Sequence, residues 1–223
     1  GYLRRVQEVL RHYDILFLSD EVITAFGRLG TWFGTEPFDA VPDLITVAKG
    51  LSSAYLPISA SLIGERVWDV LRSESDRVGA IGHGFTYSAH PLCSAAAMAN
   101  LDVLEREQLL GRVTSLAPIL AQAFERHLAD HPLVAETRAC GLLAAIELAE
   151  DKADGTPFPP GRKIGPRVAL AAARRKLIVR ALAPGDVVAC SPAFIIEPAE
   201  IDTLARTLRA ALDDVAEEIG RHA

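Results

Sequence analysis

The chain has 223 residues, of which 50% are hydrophobic, and it carries a net charge of -6. Such a length can bury one core, or one core with a smaller second domain. The mild acidity and scattered Lys and Arg argue against nucleic acid as a main partner, and no apolar run approaches the roughly 20 residues that cross a bilayer. The cysteines (Cys93, Cys140 and Cys190) form no CxxC pair. We therefore expect neither a disulfide framework nor a zinc site, and a reducing cytoplasm fits best.

The chain begins GYLRRVQEVLRHYDILFL, a pattern typical of a helix followed by a strand rather than of a signal peptide. A helix that leads straight into an apolar strand, with no initiating Met, is typical of the middle of a larger fold. We therefore expect this chain to be part of a longer protein.

Three short apolar runs predict strands that are buried on both faces of a parallel sheet. They are Ile15–Leu18, Asp43–Ala48 and Ile58–Ile63. The first run is followed by Ser19, Asp20 and Glu21, and the second by Lys49 and Gly50. Between these two runs, residues 26–34 contain three glycines and no clear period, which predicts a loop with aromatic anchors.

The Ala-rich run Pro91–Leu104 predicts a helix whose first turn accommodates Pro91, and we place a domain boundary near Gln108. The pattern beyond it predicts a compact α+β unit with a polar loop at Glu150–Arg162. Its predicted helices are Val113–Leu128, Ile164–Arg175 and Pro198–Ile219, and its predicted strands are Val134–Thr137, Leu142–Leu148, Leu177–Arg180 and Val187–Cys190.

Asp20 and Lys49 each follow an apolar strand, and ligands of open α/β sheets bind beyond the carboxyl ends of the strands. One interpretation is a structural ion pair or two solvated loop charges. The other is that Lys49 forms a Schiff base while Asp20 holds the positive charge of a bound heterocycle. Spacing alone does not decide between them.

Three longer motifs favour the second interpretation. They are DEVITAFGRLGTWFG at 20–34, PDLITVAKGLSSAYLPISASLIGE at 42–65 and HGFTYSAHPLCSAAAMANL at 83–101. In this order and spacing the chain resembles the class III (fold type I) aminotransferases that depend on pyridoxal 5'-phosphate (PLP). The resemblance implies an α/β fold in which residues 1–108 are the C-terminal part of a mostly parallel PLP-binding large domain. Residues 109–223 would be an α+β small C-terminal domain.

The resemblance assigns roles to the residues around the two strand ends. Asp20 would accept a hydrogen bond from the protonated pyridine nitrogen of PLP, which keeps the ring an electron sink. Val22 would pack on one face of the ring, although ordinary core packing explains it equally well. Lys49 would bind PLP as a Schiff base and, when released by the substrate amine, move a proton between the substrate and the cofactor.

Phe85 and Thr86 match a segment that, in this family, reaches across a homodimer interface to the phosphate of the partner's PLP. A Thr hydroxyl and a backbone N–H are suitable donors to phosphate oxygens. The alternative is that Thr86 caps the helix that begins near Pro91. Ala89 stands where a glycine is common. His83 and His90 flank this segment without a carboxylate or Cys at ligand spacing, so we expect no metal site.

The resemblance also bears on the substrate. In the ornithine, acetylornithine and GABA branches of the family, an Arg precedes a Pro-Pro-Leu motif; here that position falls at about Ala189, within one residue, and the motif is degraded. Arg180, in LIVRALAPGD, instead resembles the mobile arginine of the pyruvate-dependent ω-aminotransferases. A guanidinium binds a carboxylate through two hydrogen bonds, although Arg180 could equally be a solvated charge at a strand end.

These observations predict amino transfer from a primary amine or ω-amino acid, such as β-alanine, to pyruvate or a similar keto acid. Alternatives are another class III PLP enzyme (a taurine or diaminopelargonate aminotransferase, a decarboxylase or an aminomutase) or a catalytically inactive half. The family's phosphate-binding loop and ring-stacking aromatic come from an N-terminal half that nothing in residues 1–223 resembles.

Overall fold

The computed structural model describes residues 1–182 and 186–220. It consists of two compact units, Gly1–Gly111 and a second unit from Arg112 onward, so the division lies close to the boundary predicted near Gln108. Within the described ranges, no helix is both long enough and apolar enough to span a membrane.

The first unit contains a three-stranded sheet and three helices. Its helices are α1 (Tyr2–His12), α2 (Glu65–Val78) and α3 (Pro91–Arg106), and its strands are β1 (Leu18–Asp20), β2 (Leu44–Val47) and β3 (Ala60–Ile63). The strand order is β1-β2-β3, with β1 parallel and β3 antiparallel to β2. No helix or strand is predicted from the sequence for residues 65–78, where the structure has α2.

Burial of these strands departs from the prediction. All four residues of β3 are exposed, and in β1 only Ser19 is even half-buried. Apolar sequence makes a strand suitable for burial between two layers, but a second layer must also be present. The described residues supply none over β3, and the antiparallel direction of this strand also differs from the predicted parallel one.

Two strands begin later than their apolar runs. In each case the N–H of the first residue of the run bonds to a carbonyl of the preceding helix and not to a neighbouring strand. Asp14, with φ +53°, lies just beyond the C-terminus of α1, and Ile15 donates its N–H to Leu10 O at 2.8 Å. Lys176, with φ +64°, does the same in the second unit, where Leu177 N donates to Ala172 O at 3.0 Å. Both are helix C-terminal turns in which a left-handed residue lets the next N–H reach back five residues.

The second unit is a four-stranded antiparallel sheet packed against helices. Its strands are β4 (Val134–Cys140), β5 (Leu143–Leu148), β6 (Arg180–Leu182) and β7 (Val187–Cys190), in the order β4-β5-β7-β6, and its helices are α4 (Leu109–Leu128), α5 (Ile164–Arg174) and α6 (Pro198–Gly220). Phe124, Ile146 and Leu212 are among the fully buried side chains of its core. The bounds of β7 are those predicted, and those of α5 and α6 differ by one residue.

Candidate active site

Parallel pairing of β1 with β2 brings the two predicted functional strand ends together. Asp20, the last residue of β1, lies opposite Thr46 in the ladder, and Glu21 N continues the ladder by donating to Thr46 O at 2.9 Å. Lys49 is separated from the end of β2 by Ala48 alone and is the first residue of a short 3-10 turn, Lys49–Leu51. Asp20 and Lys49 therefore leave the same edge of the sheet, as predicted.

The Asp20 carboxylate is exposed and oriented by neighbouring donors. Its Oδ1 accepts hydrogen bonds from Val22 N at 3.1 Å and from Thr46 Oγ1 at 3.2 Å. Both bonds fall on one oxygen, so Oδ2 accepts none from the described residues. The half-buried Val22 thus contributes its backbone N–H to the site as well as its side chain.

Lys49 is exposed, and its backbone adopts φ +34°, in the region that L-residues rarely occupy. Across the described part of the chain, neither Lys49 nor Asp20 forms an ion pair. The structure therefore does not support the interpretation that Asp20 and Lys49 form a structural ion pair. The amine and the carboxylate lie at one sheet edge and are both available to a third group.

A buried carboxylate that the sequence analysis did not single out lies directly beside this site. Glu21 is 1% exposed, and its Oε1 accepts Thr35 N at 3.0 Å and Thr35 Oγ1 at 2.8 Å. Its Oε2 accepts the backbone N–H of Gly34 and, at 3.4 Å, Thr24 Oγ1. Burying a carboxylate is costly unless donors surround it, so these bonds fix the loop 21–35 against the end of β1.

Two glycines, one within this loop and one facing it, lie where the packing is close. A Cβ on Gly34 would lie 2.4 Å from the Cβ of Thr24, and one on Gly50 would lie 3.1 Å from Ala25 O. Gly50 is the residue after Lys49, so the lysine turn rests directly on the loop that Glu21 holds. The predicted aromatic anchors are also present: the rings of Phe26 and Phe33 lie 6.3 Å apart, centroid to centroid.

The segment containing Phe85 and Thr86 is an exposed turn before α3. Ser88 Oγ accepts the N–H of Phe85 at 3.0 Å, and Ser88 N donates to Phe85 O at 2.9 Å. The N-cap of α3 is His90, and no side chain caps it, so the alternative that Thr86 caps this helix is wrong. No hydrogen bond joins Phe85 or Thr86 to Asp20 or Lys49 within the described residues.

Ala89 has φ +52°, a backbone conformation that favours glycine. This explains why a glycine suits the position that Ala89 occupies. The same segment lines an open cleft of about 770 Å³. The cleft is lined by Pro57, Ile58, Ser59, Phe85, Tyr87, Ser88, Ala89, His90 and Cys93.

Arg180 is exposed in the second unit, where it opens β6 and lies opposite Ala189 of β7 in the ladder. It forms no ion pair with any residue of the described ranges. Arg138, by contrast, is held between Glu136 and Glu147, and hydrogen bonding to Glu147 is the main cause of its raised pKa. Residues 183–185 of the segment LIVRALAPGD lie outside the described residues.

A profile of the family described as aminotransferase class-III matches residues 1–212. The chain therefore belongs to the class-III aminotransferases, a PLP-dependent family, as its motifs predicted. Diaminobutyrate–2-oxoglutarate transaminase of Halomonas elongata is 40% identical over 221 residues, which are 99% of this chain and 47% of the relative. The chain spans about half the length of the curated relatives it matches.

Solved structures of transaminases share the fold. A transaminase with L-Ala superposes with a TM-score of 0.90 at 41% identity, covering 98% of this chain and 51% of the other. The ω-transaminase from Pseudomonas jessenii in complex with PMP gives a TM-score of 0.91 at 40% identity, covering 98% and 48%. The fold class predicted from the motifs is therefore confirmed.

The packing of Glu21 generates a test of stability. Replacing Glu21 with Ala leaves the buried N–H groups of Gly34 and Thr35 without an acceptor, so we expect a loss on the order of 3 kcal/mol in the free energy of unfolding. Denaturant unfolding followed by tryptophan fluorescence measures this loss, because Trp32 and Trp68 both lie in the first unit.

Glu36 provides the matched control, because it is an exposed carboxylate of the next turn that, among the described residues, accepts only Phe33 N, at 2.8 Å. Replacing Glu36 with Ala should lower the free energy of unfolding by about 1 kcal/mol or less. Equal losses for the two variants would contradict the role assigned to Glu21.

Proposed function

We propose that the protein that carries this chain is a PLP-dependent transaminase, and that Lys49 and Asp20 hold the cofactor. The observation that carries the proposal is the parallel register of β1 and β2, which places a carboxylate and an amine at one edge without pairing them. The chemistry of the donors fits PLP: Asp20 Oδ2 is open to the protonated pyridine nitrogen, and Lys49 Nζ to the aldehyde.

Each residue then has a defined task. When bound, PLP supplies an electron sink for the carbanion that forms at the substrate carbon. Asp20 keeps the ring nitrogen protonated by accepting its hydrogen bond, and the two donors on its other oxygen fix its orientation. Lys49 would hold the cofactor through Nζ, and the same amine would hold and return the substrate proton.

Val22, Phe85 and Thr86 complete the proposed cofactor contacts. Val22 packs on a face of the ring from the turn that Asp20 orients. Phe85 and Thr86 bind the phosphate of the PLP held by the partner subunit of a homodimer. Their exposure in a turn before α3 permits this contact. The proposed compartment is the reducing cytoplasm, because Cys93, Cys140 and Cys190 are far apart in sequence and form no CxxC pair.

For the substrates we propose a primary amine or ω-amino acid as donor and pyruvate or a similar keto acid as acceptor. Support comes from the pairing of Arg180 with Ala189. The arginine expected in the GABA-type branches falls at about Ala189, and cross-strand neighbours have Cβ atoms about 4.5–5.5 Å apart on one face of the sheet. The guanidinium of Arg180 therefore reaches the same region from the adjacent strand.

Two relatives bear on the acceptor in opposite ways. The transaminase with L-Ala is consistent with the alanine–pyruvate pair, whereas the Halomonas relative is named for 2-oxoglutarate. The apolar residue at position 189 favours the pyruvate-type acceptor. Product analysis with both keto acids distinguishes these acceptors and also detects decarboxylation.

Selective attachment of PLP to Lys49 tests the assignment of the cofactor site. The full polypeptide that contains these residues is mixed with PLP, reduced with borohydride and mapped by peptide mass. We expect the adduct on Lys49, and replacing Lys49 with Ala should abolish both the adduct and transamination. Lys163 is the matched control, because it is also exposed and has φ +49° but lies in the second unit.

The Lys163→Ala variant should keep the adduct and the activity. An adduct spread equally over Lys49 and Lys163, or normal transamination by Lys49→Ala, would sink the assignment.

Replacing Arg180 with Ala tests the proposed carboxylate contact. Loss of a charge-assisted hydrogen-bonded pair weakens an interaction by roughly 10- to 100-fold. We therefore expect kcat/KM for pyruvate to fall by about that factor. The half-reaction of an amine without a carboxylate should change by less than about threefold. The double change Arg180→Ala with Ala189→Arg should recover part of the loss, because the cationic group returns on the neighbouring strand. Equal losses for both half-reactions would remove Arg180 from the substrate site.

A further inference from the structure

Asn100 of α3 contacts the backbone that carries Lys49. Its Nδ2 donates to Gly50 O at 2.8 Å and to Leu51 O at 3.2 Å, and its Oδ1 accepts Ser53 Oγ at 2.6 Å. Both the donor and the acceptor ends of this half-buried amide are therefore engaged by residues that directly follow Lys49.

The turn that begins at Lys49 has an unfavourable backbone conformation and few internal backbone hydrogen bonds. Lys49, Ser53 and Ala54 have φ values of +34°, +49° and +62°, and none of them is glycine. The turn itself is closed by Leu51 N to Ala48 O at 2.8 Å and by a longer bond of 3.3 Å from Ser52 N to Lys49 O. A backbone in this conformation persists only where its surroundings hold it.

The contacts of Asn100 fall where such a turn lacks partners. The last carbonyls of a helix receive no hydrogen bond from an N–H of the same helix. The carbonyls of Gly50 and Leu51 lie at that end of the turn. Asn100 supplies both of them with a donor. Because Gly50 also packs against Ala25 and Phe26, both the loop 21–35 and α3 hold the turn.

We propose that Asn100 is a positioning residue that holds the Lys49 turn so that Nζ is presented at the sheet edge beside Asp20. The inference rests on the proposed function, because it concerns the lysine that would bind PLP. Asn100 acts through the backbone that follows Lys49, at Gly50 and Leu51. The same helix begins at Pro91, just after Phe85 and Thr86, so α3 connects the lysine turn to the proposed phosphate segment.

Variants of Asn100 in the full polypeptide test this inference. Asn100→Ala removes all three contacts, whereas Asn100→Asp keeps the acceptor for Ser53 and loses both N–H donors. Ser53→Ala is the matched control, since it removes only the Oδ1 contact. We expect the PLP adduct on Lys49, trapped with borohydride, to form roughly tenfold more slowly in both Asn100 variants and no more than about twofold more slowly in the control. The adduct on Lys163 should not change.

Hydrogen exchange without PLP gives a second readout. The amides of Leu51 and Ser52 should exchange faster in both Asn100 variants, while those of β2 keep their protection. Unchanged adduct formation in the Asn100 variants would overturn the proposal even if the turn loosened. So would an equal fall in the Ser53→Ala variant, or loss of protection throughout β2. If the unaltered protein itself forms no selective adduct on Lys49, the proposed function fails first and this inference fails with it.

Discussion

In a parallel pair of strands both carboxyl ends lie at one edge of the sheet, and the site follows from that constraint. Asp20 and Lys49 are far apart in sequence, and β1 and β2 bring them together only because the strands run in the same direction with Asp20 opposite Thr46. Asp43 fixes the opposite end of the pair: its carboxylate accepts Phe17 N at 2.8 Å, and its own N–H donates to Phe17 O at 2.8 Å. An antiparallel pair would place the two functional groups at opposite edges.

Buried and closely packed groups turn this shared edge into a defined site. The Glu21 carboxylate is stable at 1% exposure only because the loop that returns to it supplies the donors, so the carboxylate specifies the path of that loop. Gly50 permits the lysine turn to lie close to the loop, and Asn100 donates to the carbonyls of Gly50 and Leu51. Lys49 is thus exposed, while the backbone that follows it is held by the loop and by α3.

Part of this arrangement could be predicted from the sequence, since the placement of Asp20 and Lys49 near the carboxyl ends of two strands and the bounds of β7 follow from local pattern. The starts of β1 and β6 could not, because Asp14 and Lys176 adopt left-handed conformations that return the next residue to the preceding helix. The burial of Glu21 depends on donors thirteen and fourteen residues away, and the contact of Asn100 with Gly50 spans fifty residues. Such pairings are set by tertiary packing and leave no periodic signal in the chain.

The central claim is that Asp20 and Lys49 serve one bound PLP molecule from a single sheet edge. Nitrogen-15 NMR of the full polypeptide with PLP labelled at its pyridine nitrogen tests this directly. We expect a protonated ring nitrogen in the unaltered protein and a neutral one in the Asp20→Asn variant, with PLP still attached to Lys49 in both. A neutral ring nitrogen in the unaltered protein, or the same protonated signal after Asp20 is replaced, would contradict the claim.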